Sequence, residues 1–532
     1  MIQGVLRRRV LLALVIVAAS IFIFRFSTIG EFSYNVDETA HANTGVYVAS
    51  LLRDHPFLHP LQYTYTYYGH YPSLGLITWP PLFYLVEGIM FFTFGPAVLV
   101  ARISVALFAF LALYFWFRFM AELHGELVAA AATLVLALAP MILLFEKVVM
   151  LEIPALAFSI AAIYYWHKYL GREQTRDLYL FAVFAAAGLL TKQTAMFLAP
   201  LCLFSILASR KWRLLYSAAM IRAFALVAIL IAPFYAVVFR LSLHSVRATV
   251  LDRADGWNPF LYYLHELPTQ LGWPLLLLSL FGIVTCWMWA KRQTAILMLS
   301  WIAACYLTFS LIIHHEPRYT IYWIPAFVYF AIGPVTAQGS RVFRLASQLA
   351  VLGVSASLLF SAWSYRPPYV EGYARVADRI VQFEHSGVIL FDGPLAGDFI
   401  FYLRRLDPHE QFVVLRKSLY VGDIVDKYGS VELLHNSSDV LQLIKRYGIR
   451  FILVCDNCST VYPVQQNLRD LLRSKSDQFV LVDKFRIDSN QPVWRNREIA
   501  LYENIKRTAP TQNYVHIKML TLPFDIVFPL SR

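Results

Sequence analysis

Apolar runs of roughly 20 residues recur through the first 365 residues, separated by short polar loops. A run of this length crosses the hydrocarbon core of a bilayer as a helix. The pattern therefore predicts about eleven membrane-spanning helices, at residues 9–28, 99–119, 126–146, 152–170, 178–192, 194–209, 216–238, 272–290, 294–313, 320–338 and 344–363. The segment 77–94 is also apolar, but it contains Trp79-Pro80-Pro81 and Glu87. We predict that it forms a helix at the outer membrane interface.

The pattern changes near Tyr365, where short apolar runs begin to alternate with amphipathic stretches. The runs at 388–391, 412–415, 451–454 and 479–482 are typical of buried strands, and 440–447 and 464–472 are typical of helices between them. Such alternation predicts a parallel or mixed sheet covered by helices. The fold class expected is thus a helical membrane module over 1–365, with its first outer loop at 31–94, followed by a soluble α/β domain over 366–532.

Composition and charge support a membrane location and set its orientation. Only 15% of the 532 residues are charged, against about a quarter in soluble domains. The net charge of +12 would suggest nucleic acid in a soluble protein, but here Lys and Arg gather in alternate loops, as around Arg172, Lys211 and Arg292. Because positive loops stay in the cytoplasm, we expect the N-terminus inside and the α/β domain outside the plasma (inner) membrane. Arg7, Arg8 and Arg9 precede an apolar run without a small-residue cleavage site, which favours an uncleaved first helix.

This topology places two acids and two cations at the outer ends of different helices. Asp37, followed by Glu38, comes shortly after the first helix, and Glu152 begins a later one. A carboxylate there can act as a general base, although Asp37 can equally cap a helix and Glu152 can favour a first helical turn. Lys192 and Arg318 lie where a lipid phosphate would lie, although a lysine there can also simply extend to the interface.

Other motifs leave the cofactor unknown. His314, His315 and Glu316, or His265 and Glu266, could contribute to a divalent metal site, but adjacent histidines lack the spacing that places two ligands on one helical face. Cys455 and Cys458 follow an apolar strand, and a structural disulfide is favoured over a redox pair in an oxidising compartment. The sequence contains neither a phosphate-binding glycine loop nor a nucleophile elbow, and it lacks a cytosolic nucleotide-binding domain, which argues against an ATP-driven pump.

Taken in order along the chain, these residues resemble the GT-C superfamily of membrane glycosyltransferases. The resemblance covers roughly Arg7 to Trp363 and is strongest to the branch of protein O-mannosyltransferases and lipid A aminoarabinose transferases. It rests on a set of short motifs shared in order and in outer-face placement: Asp37-Glu38, Trp79-Pro80-Pro81-Leu82-Phe83-Tyr84, Gly95 before Arg102, Glu152-Ile153-Pro154, Thr191-Lys192-Gln193 and Arg318-Tyr319.

The resemblance implies a polyprenyl-phosphate sugar donor and a single inverting displacement. It implies that Asp37 is the catalytic base and that Glu152 is the second acid of the site. Lys192 and Arg318 would hold the donor phosphate, and Glu38, Tyr84 and Tyr319 would contact substrate. The partners expected are this donor, the lipid bilayer and an acceptor glycan, lipid or protein that the sequence does not identify; no nucleic acid is expected.

Two departures from the resemblance concern the acceptor. Thr78-Trp79 replaces a charged pair of the aminoarabinose branch, which makes lipid A a doubtful acceptor, and the loop 241–271 is too short for the β-trefoil of the mannosyltransferases. Two alternatives stay open. A lipid-linked oligosaccharide ligase or polymerase should carry a long outer loop late in the chain. A transporter should carry charges at the bilayer midplane, whereas the acids here cluster at one face.

Overall fold

The computed structural model describes residues 2–32, 34–56, 58–249, 258–312, 314–338, 340–425, 429–518 and 525–530. Its first part is helical: α1 (Ile2–Phe24), α2 (Val36–Asp54), α3 (Pro60–His70), α4 (Leu82–Phe94), α5 (Val98–His124), α6 (Glu126–Leu138), α7 (Pro140–Phe145), α8 (Glu152–Arg172), α9 (Thr175–Leu189), α10 (Leu198–Ala208), α11 (Ala218–Thr249), α12 (Pro259–Leu271), α13 (Trp273–Val284), α14 (Cys286–Trp289), α15 (Arg292–Ser310), α16 (Ile324–Ile332) and α17 (Arg341–Ser364). Short 3₁₀ helices cover Gln193–Phe197, Trp212–Tyr216, Pro317–Trp323 and Gly333–Thr336.

Several apolar helices make this a multi-pass membrane fold. Within the described residues, four helices are long and apolar enough to cross a membrane, at Val98–His124, Ala218–Phe239, Arg292–Ser310 and Arg341–Ser364. The pair α12 and α13, bent by 116°, makes a fifth if it is counted as one span. Some of the other predicted spans consist of consecutive shorter helices, as where Pro140 begins α7. Proline removes a backbone donor and breaks the helical hydrogen-bond ladder, so hydropathy alone does not show these breaks.

The first outer loop is itself helical. It contains α2, α3 and α4, and α4 is 13 residues long, or about 20 Å at the helical rise, which is shorter than the ~30 Å hydrocarbon core. α4 packs on α2, and Gly45 and Gly88 permit the close approach: a Cβ on Gly45 would meet the Glu87 carboxylate, and one on Gly88 would meet Val48. The length of α4 is compatible with the predicted interfacial placement.

The C-terminal part is a mixed sheet with helices on both faces. Its elements are β1 (Val370–Glu371), α18 (Tyr373–Phe383), β2 (Gly387–Asp392), α19 (Ala396–Leu406), β3 (Phe412–Arg416), β4 (Val421–Val425), β5 (Gly429–Glu432), α20 (Ser437–Arg446), β6 (Phe451–Cys455), α21 (Pro463–Ser474), β7 (Phe479–Ser489), β8 (Arg497–Asn504), β9 (Tyr514–Ile517) and β10 (Ile526–Pro529). The six-stranded sheet has the order β1-β7-β8-β6-β2-β3. β2 is parallel to β3 and β6, whereas β8 is antiparallel to β6 and β7. The four predicted strands and two predicted helices all form.

Buried polar contacts dock this sheet domain on the first outer loop. The Glu31 carboxylate accepts hydrogen bonds from the backbone N–H groups of Gly372, Tyr373 and Ala374 at the start of α18. Phe32 N–H donates to Asp398 Oδ1 at 3.0 Å. These hydrogen bonds to Glu31 and Asp398 favour one orientation of the two parts. The hydrophobic core is continuous from the membrane helices into the α18–α19 face of the sheet, and α20 and α21 cover a second core on the other face.

A buried arginine makes a second polar contact between the same two parts. Arg404 Nη2 donates to Glu410 Oε1 at 2.9 Å and to Ser50 Oγ at 3.0 Å. Its guanidinium also lies over the rings of Tyr67 and Tyr71. The tyrosine-rich stretch of the loop is therefore used for domain docking.

Candidate active site

Asn35, and not Asp37, caps the helix that carries the predicted base. The Asn35 side chain accepts hydrogen bonds from the backbone N–H groups of Asp37 and Glu38 at 3.0 and 3.2 Å. An Asn at the N-cap satisfies N–H groups that a helix start leaves unpaired. The interpretation of Asp37 as a cap is therefore wrong. Its carboxylate is available for other contacts because its neighbour already closes the helix.

The Asp37 carboxylate pairs with Arg318 across 281 positions of sequence. Arg318 Nη2 donates to Asp37 Oδ2 at 2.9 Å. The Arg318 side chain is 10% exposed and that of Asp37 is 22% exposed. The pair therefore lies at the border between the protein interior and an accessible space, which is the position that a group reaching a substrate requires.

Glu152 joins both predicted cations at one buried point. Lys192 Nζ donates to Glu152 Oε1 at 2.5 Å, and Arg318 Nε lies 3.5 Å from the same oxygen. The Glu152 side chain is 1% exposed. Within the described residues, Arg318 Nε and Nη1 and Glu152 Oε2 have no hydrogen-bond partner. Buried polar atoms without partners are costly, so these mark a site whose hydrogen bonds a ligand can complete.

Electrostatics keep Arg318 charged. Burial opposes the charge on Arg318, but the carboxylates of Glu152, Asp37 and Glu316 outweigh it and raise the pKa of the guanidinium above its usual range. A hydrogen bond from His314 lowers the pKa of Glu316, and burial opposes that shift. Arg318 is therefore a permanent cation, held at close range by three carboxylates and only partly hydrogen-bonded. It can exchange a carboxylate for a phosphate without changing its own charge.

The two predicted tyrosines occupy different places. Lys192 Nζ lies 5.8 Å from the centre of the Tyr319 ring, and Arg318 Cζ lies 6.0 Å from it, so Tyr319 borders both cations. Tyr84 is buried, and its hydroxyl is 2.7 Å from His41 Nδ1. His41 in turn lies 4.5 Å, between ring centres, from Trp79. Tyr84 therefore holds His41 in its position against Trp79.

Glu38 has a structural position. Its carboxylate oxygens accept hydrogen bonds from the backbone N–H groups of Tyr34 and Val149, both at 2.8 Å, and the residue is buried. It ties the start of α2 to the loop before α8 and so positions Asp37 relative to Glu152. Contacts with substrate stay a prediction for Glu38, Tyr84 and Tyr319.

The remaining sequence candidates lie apart or form no cluster. His265 Nδ1 is 3.6 Å from Glu266, and His314 Nε2 is 3.1 Å from Glu316. No group of three metal-binding side chains occurs within the described part of the chain. Cys455 and Cys458 form a disulfide, as the sequence favoured.

The Asn35 cap and the contacts of two cations, Arg102 and Lys147, were not predicted from the sequence. Asn35 followed three residues later by Glu38 is a recognisable helix-start signature. Arg102 donates to the carbonyls of Ser27, Ile29 and Glu31. Lys147 Nζ donates to carbonyls at the end of α1. These cations hold the segment before α2 in place, and no local pattern indicates such long-range contacts.

The chain is similar to known proteins in part of its sequence and in its fold. A family model described as dolichyl-phosphate-mannose-protein mannosyltransferase matches residues 78–236, which include Glu152 and Lys192. The structure of ArnT from Cupriavidus metallidurans in the apo state is similar with a TM-score of 0.60 at 15% identity, covering 92% of this chain and 97% of that one. No curated protein sequence matches.

Two further structures share the fold. The same Cupriavidus protein bound to undecaprenyl phosphate gives a TM-score of 0.59 at 14% identity, covering 94% of this chain and 99% of that one. Arabinofuranosyltransferase AftD from Mycobacteria gives 0.54 at 13% identity, covering 95% of this chain but 40% of that one. The family model and the shared fold agree on one class, the membrane glycosyltransferases, and confirm the predicted resemblance to the GT-C superfamily.

Proposed function

We propose that this protein transfers a sugar from a polyprenyl-phosphate donor to an acceptor hydroxyl or amine at the outer face of the plasma membrane. One observation carries the proposal. Lys192 and Arg318 meet at the Glu152 carboxylate, and Arg318 also holds Asp37. The site thus combines a cation pair for a phosphate with a carboxylate for a proton.

The cations suit the donor phosphate. Arg318 Nε and Nη1 have no hydrogen-bond partner in the described structure, and a bidentate contact of a planar guanidinium with phosphate oxygens pairs Nη2 with one of these two nitrogens. Lys192 adds a point charge at the same Glu152 oxygen. That an ArnT of the same fold was solved with undecaprenyl phosphate supports a lipid phosphate as the ligand here.

The displacement needs cations more than an acid. The acceptor oxygen or nitrogen attacks the anomeric carbon, and the bond from that carbon to the phosphate oxygen breaks with its electron pair. The acceptor proton passes to Asp37, and the sugar is released on the acceptor with inverted configuration. The leaving polyprenyl phosphate gains negative charge as the bond breaks, which Lys192 and Arg318 stabilise in place.

Donor binding would also release the base. In the structure, Arg318 Nη2 donates to the Asp37 carboxylate at 2.9 Å. A phosphate competes for the same guanidinium, and as it binds, Asp37 loses its partner and can accept a proton. Arg318 would thereby couple occupancy by the donor to activity of the base.

The orientation belongs to the same proposal. It includes about eleven spans, a cytoplasmic N-terminus, an extracytoplasmic α/β domain and α4 at the outer interface. With this topology the four site residues would lie together at the outer surface: Asp37, Glu152, Lys192 and Arg318. Polyprenyl-linked donors and envelope acceptors meet there, because phosphate headgroups stay at the membrane surface.

Binding of undecaprenyl phosphate tests the proposal. The purified full-length protein in lipid nanodiscs should bind this lipid, measured by native mass spectrometry. Arg318→Met and Lys192→Gln should each weaken binding about tenfold or more, as expected for a lost charge-assisted contact. Lys168→Gln, at the opposite end of α8 from Glu152, is the matched control and should bind normally. Equal binding by all four proteins would refute the phosphate site.

A further inference from the structure

A cavity separates the proposed base from the α/β domain. Its volume is about 770 Å³, within the range of small-molecule sites. One wall belongs to the first outer loop and includes Asp37 and Trp79; the other belongs to the sheet domain and includes Asp392, Cys455 and Arg469. Asp37 therefore borders both the proposed donor site and this cavity: its carboxylate pairs with Arg318, and the residue also lines the cavity.

The cavity lies at the point where the sheet changes winding direction. From β2 the chain passes to β3 on one side and later to β6 on the other, and both are parallel to β2. The helices that follow them, α19 after β2 and α21 after β6, therefore cover opposite faces of the sheet, and open α/β sheets bind ligands in the crevice that this leaves at the carboxyl ends of the two strands. Asp392 ends β2 and Cys455 ends β6. The Cys455–Cys458 disulfide closes the turn that forms one rim.

The sheet wall is cationic. Four basic residues and one acid line it: Arg416, Lys417, Arg469, Arg497 and Asp392. Burial raises the pKa of Asp392 above its ordinary value, and a hydrogen bond from Gln465 and the nearby charge of Arg469 oppose that shift. Arg469 is 5% exposed; its Nη1 donates to the Cys458 carbonyl at 3.2 Å, and its Nε has no hydrogen-bond partner within the described residues. A buried guanidinium with a free donor in a cavity wall is a site for an anion.

Aromatic side chains complete the lining. Tyr68, Trp79, Tyr462 and Trp494 contribute to the walls. Aromatic rings present broad apolar faces together with polar edges, which match the alternating C–H and hydroxyl surfaces of sugar rings. Cations and aromatic rings in one cavity therefore favour an anionic carbohydrate over a neutral or purely apolar ligand.

We propose that this cavity binds the acceptor, and that the acceptor is a glycan carrying a phosphate or carboxylate group. The proposal rests on the proposed function and deepens it. The anionic group would lie against Arg469 and Lys417, sugar rings would pack on Trp494 and Tyr462, and the reacting hydroxyl would point along the cavity to Asp37. Donor and acceptor would thus approach Asp37 from opposite sides, the donor from Arg318 and the acceptor from the sheet.

Saccharide binding to the full-length protein in nanodiscs tests the cavity. Saturation-transfer NMR would compare three probes: glucose 6-phosphate, an oligogalacturonate and neutral maltotriose. The phosphate and carboxylate probes distinguish the two sources of charge, and at least one should bind clearly more tightly than maltotriose. Lys417→Met, at a half-buried position, should weaken that binding about fivefold, as expected for a partly exposed charged contact. Arg469→Met should weaken it further.

Controls separate this proposal from the proposed function. Lys475→Met removes an exposed cation at the end of α21, outside the cavity, and should leave saccharide binding unchanged. Undecaprenyl phosphate binding should be normal in all three variants, which also verifies folding. Equal binding of neutral and anionic probes, no saccharide binding, or no effect of Lys417→Met would overturn the acceptor cavity while leaving the donor site standing. Loss of lipid binding by the wild-type protein would instead overturn the proposed function.

Discussion

Replacing Asp37 with asparagine separates chemistry from structure at this site. The amide keeps the size of the side chain but cannot take a proton. Loss of a positioned base typically slows a reaction about 10²–10⁴-fold. Because Asn35 caps α2, the substitution removes no cap, and Arg318 keeps Glu152 at 3.5 Å and Glu316 at 3.7 Å. Because Arg318 keeps these two carboxylates and Asp37 is 22% exposed, the loss of stability should be smaller than the loss of about 3–5 kcal/mol on breaking an isolated buried pair.

The same substitution should strengthen donor binding. In the wild-type protein a phosphate must compete with the Asp37 carboxylate for Arg318. Removing one negative charge near the bound phosphate relieves a repulsion on the order of 1 kcal/mol at 4 Å in water, which is about a fivefold gain in affinity for undecaprenyl phosphate. Asp37→Asn should therefore lose transfer while it binds the lipid phosphate at least as well as the wild-type protein does.

The assay pairs two measurements on one set of proteins. Transfer is followed by mass spectrometry of envelope glycans in a deletion strain complemented with each variant, and lipid binding is measured by native mass spectrometry. Asp54→Asn, on the same helix and exposed, is the matched control and should resemble the wild-type protein in both. Near-normal transfer by Asp37→Asn would refute the base assignment and make Glu152 the leading candidate. Weaker lipid binding would refute the competition for Arg318.

Four further predictions concern the α/β domain and the topology. Cys455→Ser with Cys458→Ser should cost about 2 kcal/mol, as estimated for a short closed loop, and lower the melting temperature of the purified protein. Burial raises the pKa of Asp398 well above its usual range, so the folded state binds more protons than the unfolded state, and stability should fall as pH rises above the ordinary range of a carboxyl group. The melting temperature should therefore change less with pH between 5 and 8 for Asp398→Asn than for the wild-type protein. An equal pH dependence in both proteins would contradict a raised pKa for Asp398. Arg404→Met should cost about 3–5 kcal/mol, because Glu410 keeps a buried charge, and should expose the domain junction to limited proteolysis. Reporter fusions after Arg172 and Asn258 should report cytoplasm and exterior respectively, and the reverse pair would contradict the outer-face site.

Much of the fold was predictable because its signals are local. Apolar runs mark where membrane helices lie, and β2, β3, β6 and β7 follow short apolar stretches between polar turns. The breaks within spans, as at Pro140, were harder to predict, because mean hydropathy over a window of residues does not change at a kink. The count of spans and the domain boundaries stay predictions.

The grouping of the four candidate site residues was predictable, but the contacts between them were not. Placing Asp37, Glu152, Lys192 and Arg318 at helix ends on one side of the membrane was enough to group them. The shared Glu152 oxygen and the Arg318–Asp37 pair join residues far apart in sequence, and no periodicity encodes such contacts. The cavity residues Asp392 and Arg469 were missed for the same reason: their meeting with Asp37 depends on how the sheet domain docks through Glu31 and Asp398.

The most direct test of the central claim compares the envelope of cells with and without this gene. Mass spectrometry of glycans, glycolipids and glycoproteins, together with polyprenyl-linked sugars, would be measured in the deletion strain and in strains complemented with the wild-type gene or Arg318→Met. The account predicts that one sugar modification disappears in the deletion strain while a polyprenyl-phosphate sugar accumulates, and that only the wild-type gene reverses both. Identical glycan and polyprenyl-lipid profiles with and without the expressed gene would contradict it.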